Sequence, residues 1–218
     1  TAWVQIGEHI MIIDPDDTNI TPPLQNDHIW EKKSTKAISK MLKKGDVFVD
    51  CGAHWGYYSL LASSIVGPEG LVYAFEPSPS NFSLLSMNIA INNIGNVRVL
   101  PLALWDSYAV IPFVPEDYRH TTGGSHLNLR PEDMRVKAYY FITQTSMLDG
   151  MFKPNDIDFI KIDCEGSDRN ILVGAMEILT NGHAKIMIEN PPKGVLESWG
   201  YKEILRFPDE QTWFFEKK

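Results

Sequence analysis

The chain has 218 residues, 44% hydrophobic and 22% charged, with a formal net charge of −8, the composition of one large globular domain or of one with an appended lobe. That charge disfavours nucleic acid, whose affinity comes mostly from neutralised phosphates, and no apolar run approaches the ~20 residues of a membrane helix. Two cysteines, Cys51 and Cys164, cannot build a disulfide framework and suit a reducing compartment, so the cytoplasm is the expected location.

The opening residues, TAWVQIGEHI, carry neither a basic stretch nor a sustained apolar run and do not read as a secretory signal. Residues 1–45 form a lead-in that ends in a helix. EKKSTKAISKMLKK (Glu31 to Lys44) sets Lys32, Lys36, Lys40 and Lys44 on one stripe, with Ala37, Ile38, Met41 and Leu42 opposite. The stripe is either a solvated face or an anion-attracting rim. Residues 46–218 form the main domain. VFVD (Val47 to Asp50) reads as a buried strand, and GYYSLLASSIV as a helix ended by Gly67-Pro68 and Gly70. LVYAFEP is a second strand stopped by Pro77. The next helix is SPSNFSLLSMNIAINN, with Ser80 or Asn81 as its expected N-cap. VRVLPLAL is a third strand and its exit.

Residues 107–140 interrupt this rhythm with Pro112, Pro115, Gly123, Gly124 and Pro131, and read as a β-rich, lid-like excursion whose stretch from Tyr118 to Arg130 is its mobile part. His120 and His126 flank its glycines. DFIKID is the next long apolar strand. Asp168 to Leu179 reads as one helix, AKIMIEN as a strand, GVLESWG as a short helix, and RFPDEQTWFFEKK as a closing antiparallel hairpin. Strands alternating with helices predict an α/β fold, a mostly parallel sheet with helices on both faces.

Two strands, VFVDCG and FIKIDCEG, end in Asp-Cys and then meet a glycine. A parallel strand is apolar because both its faces are buried. Ligands bind beyond the carboxyl ends of such strands, so Asp50 and Asp163 are expected to point at one crevice. The first turn, DCGAHWG, is not the G-x-G-x-x-G dinucleotide fingerprint, since His54 stands where the second glycine belongs. A pyrophosphate would tolerate Asp50 poorly; S-adenosylmethionine, with a sulfonium, an ammonium group and no phosphate, would welcome it. At the end of the second strand, Glu76 can accept bonds from both ribose hydroxyls.

VFVDCGAHWGYYS, LVYAFEPSPSNFSLLSMNIAINN, DFIKIDCEGSDRNILVGA and IMIEN together resemble the FkbM family of S-adenosylmethionine-dependent methyltransferases over about residues 40 to 190, with Lys161, Ile162, Asp163, Glu165 and Gly166 carrying the most specific match. His54 departs from the family's usual Asn. The resemblance implies a class I methyltransferase (Rossmann-like) fold and O-methylation of a hydroxyl on a sugar, glycan or natural product. The cofactor-binding candidates are Asp50, Gly52, Ala53, His54, Gly56, Tyr57, Glu76, Pro77 and Ala103. The catalytic candidates are Asp163 first, Glu165 second, and Lys161, whose charge inside a strand needs either a structural partner or a role in the reaction. Glu189 and Asn190 end the next strand and are candidate lining residues. Asp163, Glu165 and Glu189 can hold a hard cation, but the spacing does not require one and no metal is expected. Methyl transfer needs an aligned nucleophile, worth up to ~7–11 kcal/mol, and a hydroxyl gains ~10²–10⁴-fold from a general base. The rival readings are a nicotinamide-dependent oxidoreductase, disfavoured by the missing glycine and the closing hairpin, and a non-catalytic cofactor-binding adaptor.

Overall fold

The computed structural model describes residues 2–114, 126–127 and 140–218. Its centre is a seven-stranded sheet. The strands are β3 (Val47–Cys51), β4 (Leu71–Phe75), β5 (Val97–Leu100), β10 (Phe159–Ile162), β11 (Lys185–Glu189), β12 (Tyr201–Phe207) and β13 (Thr212–Lys217). Their order across the sheet is β12-β13-β11-β10-β3-β4-β5. The neighbours from β11 to β5 are all parallel, while β13 runs against both β11 and β12. β13 is therefore the reversed strand, and the sheet is mostly parallel as expected. The closing hairpin is present; β12 begins at Tyr201, earlier than the proline-marked stretch suggested.

The central strands are apolar on successive residues because two separate cores lie on the two faces of the sheet. Phe48, Val72, Phe159, Met187 and Phe214 belong to one core; Val49, Cys51, Ile160, Ile186 and Phe215 belong to the other. The helices are α1 (Thr21–Asp27), α2 (Lys32–Met41), α3 (Tyr57–Val66), α4 (Pro79–Ile91), α5 (Asp168–Gly174), α6 (Met176–Asn181) and α7 (Val195–Ser198). Among the described residues none is long and apolar enough to cross a membrane.

Several local expectations are corrected. α2 stops at Met41, so Lys44 lies beyond it and only Lys32, Lys36 and Lys40 of the stripe are helical. α4 begins at Pro79, whose fixed φ suits a first helical position, so Ser78 is the N-cap in place of Ser80 or Asn81. The helix expected from Asp168 to Leu179 breaks in two at Gly174 and Ala175. Here the chain presses on the loop at Trp105: a Cβ on Gly174 would sit 2.0 Å from the Trp105 carbonyl oxygen.

The lead-in holds an antiparallel hairpin, β1 (Ala2–Ile6) and β2 (His9–Ile13). Buried Asn88 of α4 fixes it in place: its side chain accepts the Ile12 N–H at 2.6 Å and donates to the Ile12 and Trp55 carbonyls. Residues 103–146 add a second sheet of β6 (Ala103–Leu104), β7 (Val110–Val114), β8 (His126–Leu127) and β9 (Phe141–Ser146), in the order β6-β9-β7-β8. His120, Gly123 and Gly124 lie outside the described residues, as does most of the mobile stretch expected from Tyr118 to Arg130.

The turn between β12 and β13 clamps α2. Glu210 accepts the Lys33 N–H at 2.9 Å, the Ser34 N–H at 2.8 Å and the Ser34 hydroxyl at 2.6 Å, so a residue distant in sequence caps the helix. That is why Ser34, at a polar position, is fully buried. Glu210→Ala is expected to lower stability by about 0.5–2 kcal/mol, a melting shift of a few degrees in a domain this size. Lys33→Ala, which removes only an exposed 2.7 Å pair with Asp209, is expected to leave the melt close to that of wild type. A thermal melt of both variants checks the contrast.

Candidate active site

Beyond the carboxyl ends of β3, β4, β10 and β11 lies a cavity of about 880 Å³. Ten of the twelve sequence candidates line it: Gly52, Ala53, His54, Tyr57, Glu76, Pro77, Ala103, Lys161, Asp163 and Glu165. Glu189 and Asn190 line it as well. Asp50 and Gly56 do not, and each has a structural reason. Gly56 (φ 95°) starts α3 hard against α4, and a Cβ there would meet Leu85 Cδ1 at 2.5 Å. Asp50 is fully buried on the face of β3 that α3 covers, and its Oδ2 accepts the Ser59 hydroxyl at 2.6 Å.

The register explains the buried acid. Asp50 pairs directly with Lys161 across the parallel β3–β10 ladder, so both side chains stand on one face. Lys161 Nζ lies 3.3 Å from Asp50 Oδ1 and 3.3 Å from Asp163 Oδ2, and donates to the Gly52 carbonyl at 2.8 Å. Asp50 Oδ1 makes no well-aligned hydrogen bond and is answered by this charge alone. Burial opposes the ammonium, but Asp163 and Asp50 outweigh it and hold Lys161 above its ordinary value. The cation thus ties a buried carboxylate to one at the cavity: the Asp163 side chain is 31% exposed, that of Asp50 0%.

The loop after β3 needs Gly52. Its φ is +74°, and a Cβ there would fall 2.1 Å from the Asp163 carbonyl oxygen. His54 follows with φ 54°, its ring tilted 40° against that of Trp55 with centroids 4.5 Å apart. Asparagine and histidine both tolerate this left-handed backbone better than most residues, which accounts for His54 in a position where Asn is usual. The His54 N–H donates to Glu76 Oε2 at 2.8 Å and the Ser78 N–H to Oε1 at 2.9 Å. Each Glu76 oxygen keeps a further lone pair for a ligand hydroxyl. Burial pushes the Glu76 carboxyl up to about 7. Asn81 accepts the Trp55 indole N–H at 3.2 Å and so holds the loop wall.

On the opposite side, β10 runs into a turn with two successive left-handed residues, Glu165 (φ 49°) and Gly166 (φ 87°). This gives the Lys-Ile-Asp-x-Glu-Gly run its shape. Asp163 and Glu189 face each other at the cavity wall as a carboxyl pair. Burial first, then Asp163 and Glu165, raise Glu189 to about 8. Among the described residues, Asp163, Glu165 and Glu189 each bring a carboxylate oxygen within 4.8 Å of the others, close enough to chelate a hard cation.

Sequence reasoning left Glu31 without a role at the site. It lines the cavity from the start of α2, with φ 41°, and Tyr58 donates its hydroxyl to Oε2 at 2.5 Å. Its only local signal is an acid ahead of a lysine-rich helix. Besides Glu31, His54 and Glu165, two more non-glycine residues of the cavity wall, Asn190 (φ 43°) and Gln211 (φ 50°), have positive φ. Such strain collects where a site needs particular directions from the backbone.

The S-adenosyl cofactor fits this donor set. Glu76 offers a carboxylate to two hydroxyls, Gly52 clears the loop, and acids line the wall facing the cation-bearing end. The match to known proteins agrees. The family model "Methyltransferase FkbM domain" matches residues 50–207. The chain is 27% identical over 165 residues to methyltransferase sdnD from Sordaria araneosa, covering 62% of each chain. The methyltransferase FkbM structure from Methylobacillus flagellatus superposes with TM-score 0.54 at 17% identity, over 78% of this chain and 43% of that one. The precorrin-6y C5,15-methyltransferase of Geobacter metallireducens gives 0.51 at 13% identity, over 95% of this chain and 98% of that one; at such identities the likeness is one of fold. The match spans less than two thirds of the length of sdnD and of the Methylobacillus protein. With a reversed strand β13 in an otherwise parallel seven-stranded sheet, and with its motifs gathered at the strand tips, this chain belongs to the FkbM family of S-adenosylmethionine-dependent methyltransferases.

Proposed function

We propose that the protein transfers a methyl group from S-adenosylmethionine to a hydroxyl of a small acceptor, a sugar, a glycan or a natural product. The observation that carries this reading is the carboxyl pair Asp163–Glu189 at the cavity wall, beside the loop that holds the cofactor. A hydroxyl must shed a proton as it is methylated, and a carboxylate at the cavity wall can take it.

Gly52, Ala53, His54, Tyr57, Glu76, Pro77 and Ala103 hold the cofactor, with Asp50 and Gly56 shaping the loop from beneath. The bound cofactor supplies a methyl group already activated on a sulfonium. Asp163 accepts the proton from the acceptor hydroxyl, Glu189 stands beside it, and Lys161 fixes its position. Glu165, exposed on the following turn, orients the acceptor. The Asp209–Gln211 turn and Asn190 close the side where the acceptor enters. No step of this reading needs a metal.

The test is a screen of hydroxylated sugars and natural products, with amines as the comparison set, using a tritiated methyl donor. Label released from the product by O-demethylation supports the reading. Transfer confined to amines would replace it with N-methylation, and cofactor binding without transfer to any acceptor would favour an adaptor.

A further inference from the structure

Among the described residues, Glu31 is a half-buried acid at the cavity that neither the motifs nor the proposed chemistry employ. We propose that it is the residue that holds the α-ammonium group of the cofactor's amino-acid arm. The inference rests on the cofactor reading above.

The argument starts from the order of the strands. Glu76 stands at the tip of β4, and the strands beside it are β5 and β3. With a ribose on Glu76, the apolar Pro77 and Ala103 suit the base, which leaves β3 and β10 for the amino-acid arm. β4 and β10 are two strand spacings apart, about 10 Å. At that far end the charged groups are Lys161, Asp163 and Glu31, each a neighbour of the others. The arm carries one cation, the ammonium, and requires an anion there.

The other acids are committed elsewhere, Asp168 among them, which is buried at the cavity wall and accepts the Cys164 N–H. Asp50 is sealed beneath the sheet tip and does not reach the cavity. Asp163 is held by Lys161 at 3.3 Å. Glu165 is exposed on the turn that follows. Glu31 remains, on the face that α2 and α3 cover. Its backbone is left-handed (φ 41°, ψ 68°), an unusual conformation for glutamate, and the Tyr58 hydroxyl fixes one carboxylate oxygen. The ring of Tyr58 in turn lies 5.6 Å from Lys161 Nζ, so the carboxylate is anchored to the central ion-pair group. Burial first, and the Asp163 charge second, hold the Glu31 carboxyl up at about 7. A desolvated carboxylate of this kind gains most from a cation.

Two ligands separate the arm from the nucleoside. S-Adenosylhomocysteine carries the ammonium group, whereas 5′-methylthioadenosine lacks the amino-acid arm. Calorimetry on Glu31→Gln is expected to show at least a tenfold loss of affinity for the first and less than a twofold change for the second. Equal losses for both, or no loss for either, would overturn the assignment. If the wild-type protein bound neither ligand, the cofactor reading itself would fall, an outcome distinct from the other two. Should Glu31→Gln fail to fold, the deaminated analogue of S-adenosylhomocysteine with wild-type protein carries the test. It binds at least tenfold more weakly than the parent if the ammonium is recognised, and equally well if it is not.

Discussion

Replacing Lys161 with methionine is expected to lower the melting temperature by roughly 6–20 °C. The reason is the neighbour it strands. Asp50 is fully buried, and its Oδ1 has only the Lys161 charge, at 3.3 Å, to answer it. Removing one member of a buried ion pair costs about 3–5 kcal/mol because the other is left charged and dry. For a domain of this size each kcal/mol shifts Tm by about 2–4 °C. The double variant Lys161→Met/Asp50→Asn strands no fully buried charge, Asp163 being partly exposed, and is expected to recover a large part of the loss, since the Ser59 hydroxyl still meets the side chain at position 50. Thermal melts of the single and double variants give the coupling directly. A single variant that melts within 2 °C of wild type would show that Lys161 is not what makes the buried Asp50 tolerable.

Asp163→Asn is expected to bind S-adenosylhomocysteine within a few-fold of wild type and to lose roughly 10²-fold or more in turnover at saturating cofactor. Asparagine keeps the shape and one acceptor oxygen but cannot take up a proton from a hydroxyl. It also leaves Lys161 its pair with Asp50, so the strand tip stays in place. Asp50→Asn, by contrast, touches no cavity atom and is expected to act through stability. Normal turnover by Asp163→Asn would make Asp163 structural and pass the proton to Glu165 or Glu189. A parallel loss in Glu189→Gln would support the carboxyl pair as the working unit.

The sheet and its helices were legible because the central strands are buried on both faces and so read as unbroken apolar runs ending in an acid and a glycine. The site candidates followed from the same strand ends. What stayed hidden depends on partners remote in sequence. Nothing near Asp50 shows that its partner is Lys161; only the β3–β10 register does. Glu31 becomes a site residue through Tyr58, and Ser34 is buried because Glu210 reaches it from the far hairpin. The split after Gly174 comes from a backbone pressed against it at Trp105. The first hairpin is different. Val4, Ile6, Met11 and Ile13 alternate inward on either side of Gly7, a period-two signal that the sequence does carry.

The most direct test of the cofactor site is a calorimetric titration of S-adenosylhomocysteine into wild type and Glu76→Gln. Glutamine keeps one acceptor oxygen for the His54 or Ser78 amide, whereas alanine would leave both unpaired, at about 1–3 kcal/mol each. The site as described predicts binding to wild type and a loss in the variant of about 1.5–3 kcal/mol, the worth of charge-assisted bonds to the ribose. That corresponds to roughly tenfold to a hundredfold in affinity. Equal affinity in the two proteins would remove Glu76 from the site, and no binding to wild type would contradict the cofactor assignment itself.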